Sequence, residues 1–197
     1  VDRLDCRSHE YENYPLELGD YELILVNTLV KHSLAGSEYN KRRAECEEGV
    51  AILKTQFSEI SSLRDVSSAT VKKFHNEMSE QVYARCLYVT EEIERVEKAC
   101  VLLNESKLEE VGKLMFQTHE GLSKLYKVSC PELDLLVETA KTIEGVAGAR
   151  VMGGGFGGCT INLVKPTEIE LFKERTIAAY KEVFGKEPVF YHVQTND

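Results

Sequence analysis

Apolar and polar positions change their period three times along the chain. Tyr21-Glu22-Leu23-Ile24-Leu25-Val26-Asn27 is a short apolar run behind the turn residues Gly19-Asp20, which predicts a largely buried strand. The segment Tyr11 to Leu18 is expected to pair with it. After Gly36 the spacing becomes helical. Ser37 fits an N-cap, and Tyr39, Cys46, Val50, Leu53 and Phe57 recur on one face. The strongest periodicity follows: Val82, Cys86, Val89, Ile93, Val96, Cys100 and Leu103 alternate steps of four and three, as a packing seam does. A second stripe runs through Leu108, Val111, Met115, Leu122 and Leu125. The short break at Asn104-Glu105-Ser106 makes the two stripes a long antiparallel helical hairpin. Both read as core seams, not cofactor boxes.

The last third returns to mixed structure. Pro131 suits the first turn of a helix carrying Leu133, Leu136, Val137 and Ala140. A strand from Val146 to Met152, a glycine cluster and a strand from Cys159 to Val164 come next. A helix from about Thr167 to Phe184 and a strand from Val189 to Val193 complete the pattern. Strands at both ends with helices between them predict an α+β fold: an antiparallel sheet with helices on one face. No Pro/Ser-rich linker, internal repeat or low-complexity tract interrupts it, so residues 1–197 read as one domain.

Composition narrows the function classes. The chain has 197 residues, enough to bury a core without a metal or disulfide staple. Its 24 basic and 33 acidic side chains give a formal net charge of −9, which argues against nucleic acid and against an anionic membrane surface as partners. No apolar run approaches the ~18 residues of a membrane span. The six cysteines form no CxxC pair, and several sit inside apolar stripes; they read as reduced thiols of a cytoplasmic protein. His9, His75 and His192 have no metal-ligand spacing, and Glu91, Glu92 and Glu94 read as a solvated helix face. Val1-Asp2-Arg3-Leu4 has no signal-peptide pattern and no initiator Met, so a processed protein or a piece of a longer polypeptide is expected.

The chemical signal is Gly153-Gly154-Gly155-Phe156-Gly157-Gly158. It matches G-x-G-x-x-G formally but not in context, because a dinucleotide fingerprint opens a helix and the residues that follow here are strand-like. It also lacks the Lys-Ser/Thr of a P-loop. A tight hairpin needs one or two residues with φ > 0, whereas this cluster holds five glycines in six positions. Such a loop brings its amides close to a ligand or to another chain segment that carries one. A close-packed crossing without a ligand is the alternative.

Arg150-Val151-Met152-Gly153-Gly154-Gly155-Phe156-Gly157-Gly158-Cys159-Thr160 closely resembles the third signature of galactokinases, members of the GHMP sugar and metabolite kinase superfamily. Three further segments resemble the family in the same order. They are Asp5-Cys6-Arg7-Ser8 with Glu10-Tyr11-Glu12; Lys31-His32-Ser33-Leu34-Ala35 with Ser37-Glu38-Tyr39 and Arg42-Arg43-Ala44-Glu45-Cys46-Glu47; and Val128-Ser129-Cys130-Pro131-Glu132-Leu133-Asp134. The resemblance implies the ferredoxin-like α+β C-terminal domain of GHMP kinases, with residues 1–18 leading in from an N-terminal domain. It implies transfer of the ATP γ-phosphoryl group to the C1 hydroxyl of galactose. The catalytic Asp, the phosphate loop, the magnesium ligands and most sugar contacts belong to that N-terminal domain, and none of their motifs occurs here. This chain then holds no catalytic residue and no metal ligand, and ATP and magnesium are bound mainly outside it.

Of the family's sugar contacts only Tyr39 maps here; a tyrosine offers a ring face and a hydroxyl to a sugar. Gly153, Gly154, Gly155, Gly157 and Gly158 are expected to close over the active site, and alanine at Gly155 to damage turnover more than fold. His32 and His119 are expected to be structural. Galactokinases commonly read Arg-x-Arg-His-Val-x-x-Glu-Asn-Glu-Arg-Val where this chain places Leu87, Tyr88 and Ile93 for the second Arg, the His and the Asn. Two other readings stay open: a non-catalytic galactokinase-like sensor, and an N-acetylgalactosamine kinase.

Overall fold

The computed structural model describes residues 1–30 and 35–194; the family-like stretch Lys31–Leu34, with His32, lies outside the described residues. Two short strands, β1 (Asp2–Leu4) and β2 (Tyr11–Asn13), pair with each other, Arg3 opposite Glu12. The expected pairing of Tyr11–Leu18 with the next strand is therefore not formed. Every β2 side chain is exposed, so no apolar face sets a register against the core sheet. Ion pairs dock this lead-in on the helical part: Arg64 to Asp5 at 2.6 Å and Arg7 to Asp65 at 3.1 Å.

The central sheet contains β3 (Glu22–Asn27), β4 (Val146–Met152), β5 (Cys159–Val164) and β6 (Val189–Val193), antiparallel throughout, in the order β4-β5-β3-β6. This is the strand order of a ferredoxin-like sheet, with the two middle positions taken by its first and third strands. Among the described residues six α-helices accompany it: α1 (Ala35–Lys54), α2 (Ser68–Lys73), α3 (Glu80–Asn104), α4 (Leu108–Glu120), α5 (Pro131–Lys141) and α6 (Ile169–Phe184). Alternation along the strands decides what each face meets. Ile24, Val26, Ala149 and Val164 form one core with Leu136, Val137 and Ala140 of α5 and Phe172 and Tyr180 of α6. Leu23 and Leu163 point the other way, to Leu108 and Met115 of α4. Thus the two crossing helices share one face, and the hairpin lays its second arm on the other.

That second contact is backbone on backbone. A Cβ at Gly148 would stand 2.4 Å from the Cα and the carbonyl oxygen of Gly112, and one at Gly112 would stand 2.3 Å from the Ala147 carbonyl. A further core joins α1, α2 and α3 through Leu53, Ile60, Leu63, Val71, Phe74, Met78, Val82 and Cys86. Several boundaries differ from the sequence pattern. α1 begins at Ala35, so Ser37 is inside its first turn, and it stops at Lys54, short of Phe57. The Ser79 hydroxyl accepts from the Val82 N–H and caps α3. The acidic triplet on α3 is solvated only in part: Glu94 is exposed, Glu91 and Glu92 are half-buried, and all three are paired. Glu94 accepts from the Ser68 N–H (2.8 Å), Glu91 pairs with Lys72 (2.9 Å) and Glu92 accepts from the Thr118 hydroxyl (2.9 Å).

Candidate functional site

The loop between β4 and β5 is built almost wholly in the left-handed region, with φ of +83° at Gly153, +82° at Gly155, +59° at Phe156, +133° at Gly157 and +76° at Gly158. Both of its sides are fastened. The Gly158 carbonyl accepts from the Thr28 N–H (2.9 Å) and the Thr28 hydroxyl (2.8 Å), and the Thr28 carbonyl accepts from the buried Tyr180 hydroxyl (2.8 Å). In the middle, the Phe156 N–H donates to the Val128 carbonyl at 2.6 Å. A Cβ at Gly155 would stand 2.2 Å from that same oxygen, whereas at Gly153, Gly154 and Gly158 a Cβ would meet nothing within 4 Å. The glycines therefore divide by task. Gly155 sits at a close crossing of chain segments, so alanine there is expected to cost the fold heavily as well as turnover.

Gly153 and Gly154 line a cleft of about 410 Å³ with Tyr39, Tyr88, Tyr126 and Ile93. The cleft adjoins a groove along α1 that shares Tyr39, Ile93 and Tyr126. Tyr39 is 56% exposed at the start of α1, so it does not continue the helix's apolar line into the core. The Tyr88 and Tyr126 rings pack at 5.0 Å between centroids, and Tyr88 fills the space a Cβ on Gly121 would need. Burial pushes both phenols up from their ordinary value, so each stays a neutral hydroxyl at pH 7. Gly121 opens a π-helical turn, Gly121–Leu125, that re-aims the chain after α4 and delivers Leu122, Tyr126 and Val128 to the cleft.

Residues 91–182 match the family model of GHMP kinases C terminal. Over 98% of its length the chain is 42% identical to the galactokinase of Thermotoga maritima, and over 95% it is 40% identical to that of Clostridium perfringens. It covers 53% and 49% of those proteins, so it spans about half the length of the curated relatives it matches. The crystal structure of Lactococcus lactis galactokinase complexed with galactose matches it with a TM-score of 0.90 at 34% identity, over 98% of this chain and 50% of that one. Residues 91–182 thus match the GHMP kinase C-terminal family, and nearly the whole chain is similar to one half of a galactokinase.

The structure brings Tyr39, Gly153 and Gly154 to one cleft, while Gly155, Gly157 and Gly158 are not among its lining residues. The departures from the galactokinase pattern have a visible outcome. Leu87 packs at the α1–α3 core, Tyr88 is buried against Tyr126, and Ile93 makes the cleft wall apolar. Among the described residues no group of three His, Cys, Asp or Glu side chains is placed to hold a metal ion. All six cysteines are free, and burial pushes Cys86 up to about 12 and Cys130 up to about 11, so neither is a thiolate at pH 7.

Sequence reasoning missed the charged residues beneath the cleft. Arg42 and Arg85 are each 6% exposed and Glu45 is 7% exposed. Arg42 Nε donates to the Tyr126 carbonyl (2.7 Å) and its Nη2 to the Lys127 carbonyl (3.0 Å). Arg85 donates to the Leu125 carbonyl and, through Nε, to Glu45 Oε2 at 2.7 Å, while Gln81 donates to the other Glu45 oxygen. These carbonyls end the π-helical turn, where backbone acceptors lack intrahelical partners and carry partial negative charge. Burial alone would raise the Glu45 carboxyl, but hydrogen bonds from Arg85 and Gln81 and the charges of Arg85 and Arg42 hold it below its ordinary value.

His119 sits at the end of α4 and is 2% exposed. Its Nε2 meets Asp134 Oδ1 at 3.2 Å, and Asp134 also accepts from Ser129 (2.5 Å) and Ser123 (3.0 Å). Its Nδ1 is buried without a hydrogen-bond partner, so only one ring nitrogen of His119 is satisfied. Burial lowers the imidazole, outweighing the nearby Asp134 carboxylate. A lowered folded value means that the unfolded chain takes the proton first as pH falls. Stability is then fully present above the ordinary value of 6.5 and declines below it. Denaturant midpoints measured from pH 8 to pH 5 are expected to fall, and to fall less in His119→Gln; equal slopes would overturn this.

Proposed function

We propose that this chain is the C-terminal half of a galactokinase, which transfers the γ-phosphoryl group of ATP to the C1 hydroxyl of galactose in the cytoplasm. One observation carries the reading: Tyr39 from the start of α1 and Gly153-Gly154 from the β4–β5 loop face one cleft, on a fold matching a galactokinase complexed with galactose. Phosphoryl transfer needs little covalent help and depends on alignment and charge stabilisation. In this reading Tyr39 offers its hydroxyl to the sugar and the glycine loop closes the cleft. An N-terminal domain, joined through residues 1–18, supplies the base, the ATP phosphate loop and the magnesium ligands.

The test is galactose phosphorylation by the full-length polypeptide containing this chain. Tyr39→Phe is expected to raise the galactose KM about tenfold, the loss of one hydrogen bond, with the ATP KM unchanged. Absence of ATP-dependent product with galactose binding retained would replace the reading by a sensor. Preference for N-acetylgalactosamine over galactose would change the acceptor.

A further inference from the structure

We infer that Arg42 and Arg85, braced by Glu45, are positioning residues that set the glycine loop against the cleft. The inference rests on the proposed phosphoryl-transfer reading. Its basis is a continuous run of short polar contacts between parts of the chain far apart in sequence. Arg42 lies one helical turn beyond Tyr39 and holds the carbonyls of Tyr126 and Lys127. Arg85, on α3, holds the carbonyl of Leu125. The next carbonyl, that of Val128, seats the Phe156 N–H at 2.6 Å and leaves no room for a Cβ on Gly155. Gly153 and Gly154, just before it, form the cleft wall that faces Tyr39.

The chemistry fits placement better than packing. Two buried guanidiniums and one carboxylate are a poor way to gain stability, since an apolar trio of similar volume is usually as good or better. What the guanidinium adds is direction: its rigid fork fixes two successive carbonyls from one side chain, and an ammonium cannot reproduce that. Glu45 accepts a hydrogen bond from Arg85 at 2.7 Å and lies 3.5 Å from Arg42 Nη1, which makes no hydrogen bond, so one carboxylate fixes the Arg85 fork and offsets the charge of both. The helix that carries Tyr39 and the loop that carries the glycines are thereby held to one reference point, the 125–128 backbone.

The experiment uses Arg42→Lys and Glu45→Gln in the full-length polypeptide. Both are assayed for kcat and for galactose and ATP KM, and for hydrogen exchange of residues 153–158 against strand β3. Arg42→Lys keeps the charge and is expected to lower kcat about tenfold, because small misplacements of a reacting site are costly. Galactose KM should rise several-fold and loop exchange accelerate about tenfold, while β3 exchange stays unchanged. A folded Arg42→Lys protein with wild-type kcat and KM, or with unaltered loop exchange, overturns the inference. If Arg42→Lys does not fold, Glu45→Gln decides by the same criteria. If neither folds, the network is a folding element and the inference fails. A wild-type protein that does not phosphorylate galactose overturns the proposed function instead, and the exchange data then report on the coupling alone.

Discussion

Gly155→Ala is expected to destabilise the fold by about 3 kcal/mol, read as a lowered denaturant midpoint with an unchanged m-value. Two costs combine. An L-residue at φ +82° is strained by about 1–3 kcal/mol, and the new methyl group would stand 2.2 Å from the Val128 carbonyl oxygen, a backbone atom that cannot rotate aside. Its neighbour supplies the control. Gly154 lies outside the left-handed region with nothing within 4 Å of its would-be Cβ, so Gly154→Ala should change stability by less than about 1 kcal/mol. Its effect should instead show in turnover of the full-length protein, because that methyl group enters the cleft. A Gly155→Ala protein as stable as Gly154→Ala would mean that the 127–128 segment can withdraw from the loop, and the close crossing would lose its meaning.

The second large effect is expected where α4 lies on β4. Gly148→Ala should cost about 3 kcal/mol, since its Cβ meets Gly112 backbone at 2.4 Å. Gly112→Ala drives a methyl group against the Ala147 carbonyl at 2.3 Å, yet as a helical position it gains about 1 kcal/mol of intrinsic propensity. Collision wins because the obstacle is again backbone, and a net loss of about 2 kcal/mol is expected. The double variant is the sharper measurement. Either methyl group alone must lift the helix off the strand, so the second has less left to disturb, and the pair should lose at least 1 kcal/mol less than the sum. Strict additivity would show that helix and strand accommodate each change locally.

Periodicity made the long elements legible because their burial is one-sided. The hairpin of α3 and α4, the Pro131 helix and strands β3 to β6 all follow stripes or alternation visible in the sequence. Short elements escaped. α2 and the 3₁₀ turns at Leu63–Asp65 and His75–Glu77 are too brief to show a period, although Leu63, Val71 and Phe74 complete a core with α1 and α3. The pairing of Tyr11–Asn13 was misread because an all-exposed strand carries no alternation.

At the candidate site the glycines and Tyr39 were readable, since each residue type has a reason to be where it is. The buried charges were not, because Arg and Glu on a helix ordinarily mark its wet side. One signal was available. The apolar line through Tyr39 and Cys46 skips a turn, and Arg42 occupies the gap at three residues from one and four from the other. Among the described residues those buried on α1 are Arg42, Glu45, Gly49 and Leu53, so the first half of its inner face meets polar partners and the second half an apolar core.

Fastening the β4–β5 loop on both sides has a mechanical consequence. One side is pinned to Val128, and so to α1 and α3; the other is pinned through Thr28 to Tyr180 on α6. Opposite walls of the domain thus hold a single span between them. Five glycines in such a span supply shape, not slack. The loop is therefore a fixed rim of the cleft, and it can shift only together with the two segments that hold it.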